Sequence, residues 1–82
     1  QPKYSRRAQI RGMEGYAVVE AIVTTTGSVR APVLIEEYPE GWSLGKASLQ
    51  AATKLKYNPH VVYGVAREVG GMRYKFSFHM TR

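Results

Sequence analysis

Two histidines, six carboxylates and no cysteine leave little from which a common catalytic or metal site could be drawn. Neither His60 nor His79 has a neighbour at a ligand spacing such as H-E-x-x-H, so both read as ordinary surface residues. Without cysteine there is no thiolate nucleophile, no thiolate metal site and no disulfide framework. No serine sits in a G-x-S-x-G elbow. Glu36 and Glu37 are adjacent, and neighbouring strand residues project to opposite faces, so they cannot work as a carboxylate pair. Glu14, Glu20, Glu40 and Glu68 have no evident acid–base partner. Gly70-Gly71 precedes a strand, whereas phosphate-cradling loops run from a strand into a helix. The expectation is a binding module rather than an enzyme, with no metal, cofactor or small-molecule substrate.

What remains is basic and aromatic. The net charge of +6 suits nucleic acid, an anionic membrane surface or an acidic protein partner. The cations are scattered, at Arg6, Arg7, Arg11, Lys46, Lys54, Lys56, Arg73 and Lys75, as on a solvated surface. Tyr74, Phe76 and Phe78 beside Arg73 and Lys75 could form a base-stacking platform. Alternation puts those aromatics on the face opposite the cations, where a helix must cover them, so they read as core. Nothing matches the RNP1 pattern either, and nucleic acid is not the expected partner. Trp42, just before a helix, reads as a lid over one end of the core.

Positioning these residues falls to a single domain, 1–82, since a chain of 82 residues has room for one core. No apolar run approaches the ~20 residues that span a bilayer. The chain opens on Gln1 with no signal-peptide pattern, so it reads as part of a longer protein whose anchor lies elsewhere. Residues 1–5 form an extended lead-in, and Ser5 caps a short helix, Arg6 to Arg11, that Gly12 stops. From Tyr16 to Val23 the period drops to two, with Ala17, Val19, Ala21 and Val23 on one face and Tyr16, Val18, Glu20 and Ile22 on the other. Thr25-Thr26-Gly27-Ser28 turns the chain into a second strand, Val29–Glu37, completing a hairpin. Tyr38-Pro39-Glu40-Gly41 is a further turn. Ser43 caps a helix running to about Lys56, buried through Leu44, Ala47, Ser48, Ala51, Ala52 and Leu55. Lys54 and Lys56 suit its negative end, and Asn58-Pro59 stops it. After an irregular, glycine-bearing stretch, Met72–Met80 forms the last strand, with Met72, Tyr74, Phe76, Phe78 and Met80 on the core face.

The fold expected is α+β: a three-stranded antiparallel sheet in order 2-1-3, with the short N-terminal helix and one helix packed on a single face. Pro32 cannot donate a ladder hydrogen bond, which places the second strand at an edge or bulge. The third strand then pairs with the first through a right-handed crossover. Its outer side is an open edge free of proline, available to another chain or to a second copy. The apolar Tyr16, Val18 and Ile22 on the opposite face call for a cover, from the N-terminal segment or from another chain.

In their order and spacing these residues resemble the TonB C-terminal domain over nearly the whole chain. Gln1, Pro2, Tyr4, Ala8, Gly12, Glu14 and Gly15 match that family's opening pattern, Q-P-x-Y-P-x-x-A followed by G-x-E-G. Gly15, Val19, Val23, Gly27 and Val29 match its hairpin, and Ala47, Leu49, Ala51, Tyr57 and Pro59 its helix. The alternating strand Tyr74-Lys75-Phe76-Ser77-Phe78 closes the domain. Ser5 departs from a family proline, Ala17 and Ala21 from larger core residues, and Leu44 and Leu55 from Phe and Trp. The resemblance implies a periplasmic domain anchored in the inner membrane by a segment outside this chain. It implies coupling of the proton-driven ExbB–ExbD motor to TonB-dependent outer-membrane transporters for siderophore, haem or vitamin uptake. The transporter's TonB box would add as a strand along Arg73, Tyr74, Lys75, Phe76, Ser77 and Phe78, while Gln1, Pro2 and Tyr4 contact the transporter. A homodimer through the same edge is possible in isolation. The alternatives are a related tether such as the TolA C-terminal domain, a TonB-like domain of a sensor or protease, and, ranked last, a basic nucleic-acid-binding module.

Overall fold

β-Branched residues at alternate positions build the central strand, β1 (Gly15–Val23), flanked by β2 (Val29–Tyr38) and by the last strand of the chain. The computed structural model describes residues 14–79 together with Arg6 and Gly12. The expected lead-in, the rest of the helix Arg6–Arg11, and Met80 lie outside the described residues. One helix, α1 (Leu44–Ala52), follows β2, and the chain then forms β3 (His60–Val62), β4 (Val65–Arg67) and β5 (Val69–Phe78). The main sheet has the order β2-β1-β5, and both pairings are antiparallel. That is the expected 2-1-3 arrangement, with β5 as the third long strand.

The core lies between α1 and one face of the sheet. Ala17, Val19 and Val23 of β1, Leu44, Ala47 and Ala52 of α1, and Phe76 and Phe78 of β5 are buried. Trp42, Leu49, Ala51 and Leu55 pack against them, so Trp42 does lie along the core. Full burial of each phenylalanine contributes ~1.5–3 kcal/mol, a large share of the stability of so small a domain. Gly45, on the sheet side of the helix, allows close approach: a Cβ there would lie 2.4 Å from Leu34 Cδ2.

Several boundaries differ from expectation for identifiable reasons. The helix ends at Ala52, not near Lys56. The Lys54 and Leu55 amides tighten onto Ala51 and Ala52 (3.0 and 3.1 Å), and Tyr57 N–H then donates to the Gly27 carbonyl at 2.9 Å. Lys56 bridges Ser28 instead of ending a helix. The β1–β2 turn thus competes successfully for the backbone after α1, and no basic residue lies in the last helical turn. Ser43 is the helix N-cap, but in a left-handed conformation with no capping bond from its side chain. The acceptor comes from the neighbouring strand: Glu37 Oε2 takes a hydrogen bond from Gly45 N–H at 2.8 Å. A carboxylate there also suits the positive end of the helix dipole.

The stretch expected to be irregular holds the hairpin β3–β4, joined by Tyr63-Gly64 with φ of 49° and 76°. Two positive φ values are what a two-residue type I′ turn needs. β5 begins at Val69 rather than Met72 and ends at Phe78 rather than Met80. Its early start includes a bulge, since Ala21 pairs with Met72 but Val23 with Val69. Gly71, at φ +67°, supplies the left-handed residue of that bulge. β2 extends through Tyr38, one residue beyond its expected end, which takes that residue out of the following turn.

Candidate partner-binding edge

Two strands of the main sheet have an outer side that pairs with nothing among the described residues, and they are not equivalent. β2 is irregular: its pairing with β1 shifts register twice, Ala31 has φ of 52°, and Pro32 follows. β5 carries no proline over ten residues and stays in register with β1 from Met72 to Phe78. The backbone groups on its outer side are spaced to accept another strand.

The residues expected to form this site divide by face. Phe76 and Phe78 are 5% and 3% exposed, and hold β5 in register from inside the core. Tyr74 and Met72 share their face but not their burial: 45% and 39% of their surfaces are exposed, against the expectation that both belong to the core. The cause is the helix, which ends at Ala52 and packs over β1 and β2, so it does not reach the first half of β5. Tyr74 meets Phe76 edge-on, with ring centroids 4.8 Å apart. Arg73, Lys75 and Ser77 lie on the other face and are exposed. Arg73 Nε donates to Glu20 Oε2 at 2.9 Å across the β1–β5 pair. Lys75 Nζ stands 4.5 Å from the centroid of the Tyr16 ring. Gln1, Pro2 and Tyr4 lie outside the described residues.

That second face is partly buried. Tyr16, Val18 and Ile22 are half-buried. Tyr16 donates its hydroxyl to Glu36 Oε2 at 2.5 Å and packs against Tyr38, ring centroids 6.2 Å apart. The carboxylate accepting this bond holds the Tyr16 hydroxyl above its usual pKa, aided by burial and by the negative charge of Glu36. Arg30 pairs with Glu68 at 3.0 Å.

Sequence reasoning missed one feature beside the edge. A cleft of about 280 Å³ opens on the helix face, lined by Val23, Tyr57, Pro59, Val61, Val69 and Met72, with Asn58 and His60 at its sides. Burial raises the pKa of Tyr57, with Tyr74 adding to the effect. The hairpin that supplies Val61 had a signal in its β-branched Val61, Val62 and Val65 around Tyr63-Gly64. A bulky residue at positive φ is an uncommon turn former, and this kept the signal weak. No group of three or more metal-binding side chains occurs among the described residues, and His60 and His79 are exposed.

The model of the family described as Gram-negative bacterial TonB protein C-terminal matches residues 1–80. The fold is similar to a solution NMR structure of the TonB C-terminal domain of Pseudomonas aeruginosa, at 30% identity and TM-score 0.75 over 100% of this chain and 81% of that one. It is also similar to the TonB2 protein of Vibrio anguillarum, at 29% identity and TM-score 0.74 over 100% of this chain and 76% of that one. No curated protein matches significantly.

Proposed function

The chain belongs to the Gram-negative bacterial TonB C-terminal family, and on that premise we propose that it grips outer-membrane transporters by taking their TonB box as an added strand on β5. It is a TonB-like periplasmic domain. Among the described residues no helix is long and apolar enough to cross a membrane. In the proposed role, force from the proton-driven ExbB–ExbD motor reaches the domain through an inner-membrane anchor outside this chain. The domain passes that force to the transporter and opens it for siderophore, haem or vitamin uptake. Gln1, Pro2 and Tyr4 add contacts to the transporter.

The observation that carries this reading is the outer side of β5, unpaired among the described residues, free of proline and held from within by Phe76 and Phe78. Backbone pairing makes few demands on sequence, which suits a domain serving several transporters. A pull on the bound segment is also shared among several hydrogen bonds. The test is to titrate a peptide carrying a transporter's TonB box against the chain with proline scanned across residues 73–79. Proline at outward-facing amides should weaken binding while inward-facing positions fail by unfolding. Parent-like binding by every variant that folds excludes strand addition at β5.

A further inference from the structure

We infer that the segment received by β5 alternates apolar and acidic side chains, the apolar ones lying on Met72, Tyr74 and the neighbouring cleft and an acidic one meeting Lys75. This rests on strand addition at β5 and adds a side-chain specificity to it.

The inference starts from what α1 leaves uncovered. Met72 and Tyr74 are 39% and 45% exposed on the face that carries the core. Beside Met72 the cleft between Val69 and the Tyr57–Val61 segment continues the apolar surface. A strand laid along β5 places every second side chain on this face, directly across from or diagonal to Tyr74 and Met72. Apolar side chains there remove surface from water on both partners.

The other face imposes the opposite demand. Arg73 has Glu20 as its carboxylate. Lys75 rests on the Tyr16 ring and has no carboxylate within ion-pair distance among the described residues. An acidic residue across from Lys75 supplies one, in a chain whose net charge is +6. The same charges disfavour a second copy as the occupant. Two β5 strands paired antiparallel in a continuous sheet bring Arg73 and Lys75 of both copies onto one face, and facing like charges are destabilising.

The test uses three seven-residue peptides titrated against the 82-residue chain, with hydrogen exchange of the β5 amides followed at saturation. One alternates Val with Glu, one Val with Lys, and one Thr with Glu. The Val–Glu peptide should bind at least about tenfold more tightly than either of the others and protect β5 amides. Lys75→Glu should reduce the preference for Val–Glu over Val–Lys at least about tenfold, whereas Lys46→Glu, an equal change in net charge on the exposed side of α1, should leave it nearly intact. Met72→Thr with Tyr74→Thr should remove the advantage of Val–Glu over Thr–Glu. Three peptides that bind alike while protecting β5 overturn the pattern and leave strand addition standing. A preference that Lys46→Glu shifts as much as Lys75→Glu reduces the acidic half to net charge and overturns it. Binding that leaves β5 amides unprotected overturns both readings, and self-association through β5 shows the occupant to be a second copy.

Discussion

Tyr16 and Gly27 show how single residues commit the chain to its geometry. The Tyr16 hydroxyl is bonded to the Glu36 carboxylate, an arrangement that favours the protonated phenol. A folded-state pKa above the unfolded value of about 10 gives stability that is fully present below pH ~10 and lost as pH rises through the folded pKa. Spectrophotometric titration should therefore find a tyrosine ionising late, and Tyr16→Phe should remove that component of alkaline destabilisation. Gly27 acts through backbone. Its φ is +85°, and a Cβ there would lie 2.0 Å from the Tyr57 carbonyl oxygen. Gly27→Ala should cost at least ~1–2 kcal/mol from the left-handed conformation alone, with the contact adding to it. Gly70 has open space and no positive φ, so Gly70→Ala should stay within about 0.5 kcal/mol in urea unfolding.

At the scale of elements, α1 and β5 each depend on a neighbour. The first turn of α1 draws its acceptor from Glu37 on β2. Glu37→Ala should cost ~0.5–2 kcal/mol, the usual worth of a cap, and Ser43→Ala much less, because Ser43 makes no side-chain capping bond. Thermal melts of the two variants side by side check this. Equal losses would return the capping role to Ser43. On β5, Phe76→Ala should cost roughly 3–5 kcal/mol through the cavity it leaves. Tyr74→Ala should cost far less, since the residue is already 45% exposed. Ser77→Pro tests the outer edge: where that amide faces the added strand, binding of a TonB-box peptide should weaken by ~1–3 kcal/mol. Lys75→Ala, which keeps the backbone, should stay within about tenfold.

Taken whole, the molecule is a small basic domain whose main sheet has, among the described residues, one irregular edge and one regular edge. Several of its cations are already engaged. Arg30 and Arg73 are paired with Glu68 and Glu20, and Lys75 lies on Tyr16. The aromatic residues that might have stacked with bases are divided, Phe76 and Phe78 buried and Tyr74 partly exposed. Binding to DNA or RNA should accordingly be weak, indifferent to sequence and steeply reduced by salt. Binding to a TonB-box peptide should respond less to salt, because backbone hydrogen bonds supply most of the contact. Parallel titrations at low and physiological salt separate the two, and tight sequence-selective nucleic-acid binding would reverse the assignment.

Local pattern was enough for the hairpin β1–β2, the existence of α1, and the phenylalanines of β5 as core, because alternation and helical spacing are written into neighbouring residues. Pro32 likewise disclosed the irregular edge, and with it the order of the sheet, since a missing amide donor is a property of one residue. The rest depended on distant partners. Ala52 ends the helix because Gly27 takes the Tyr57 amide, and Glu37 serves as its cap because the sheet brings that carboxylate to Gly45. Alternation assigned Tyr74 and Met72 to the correct face but could not state their burial. A strand's face is determined by its own period, whereas the cover over that face depends on how far another element reaches. In this protein α1 stops short of them, and the uncovered half of β5 is where a partner has most to gain.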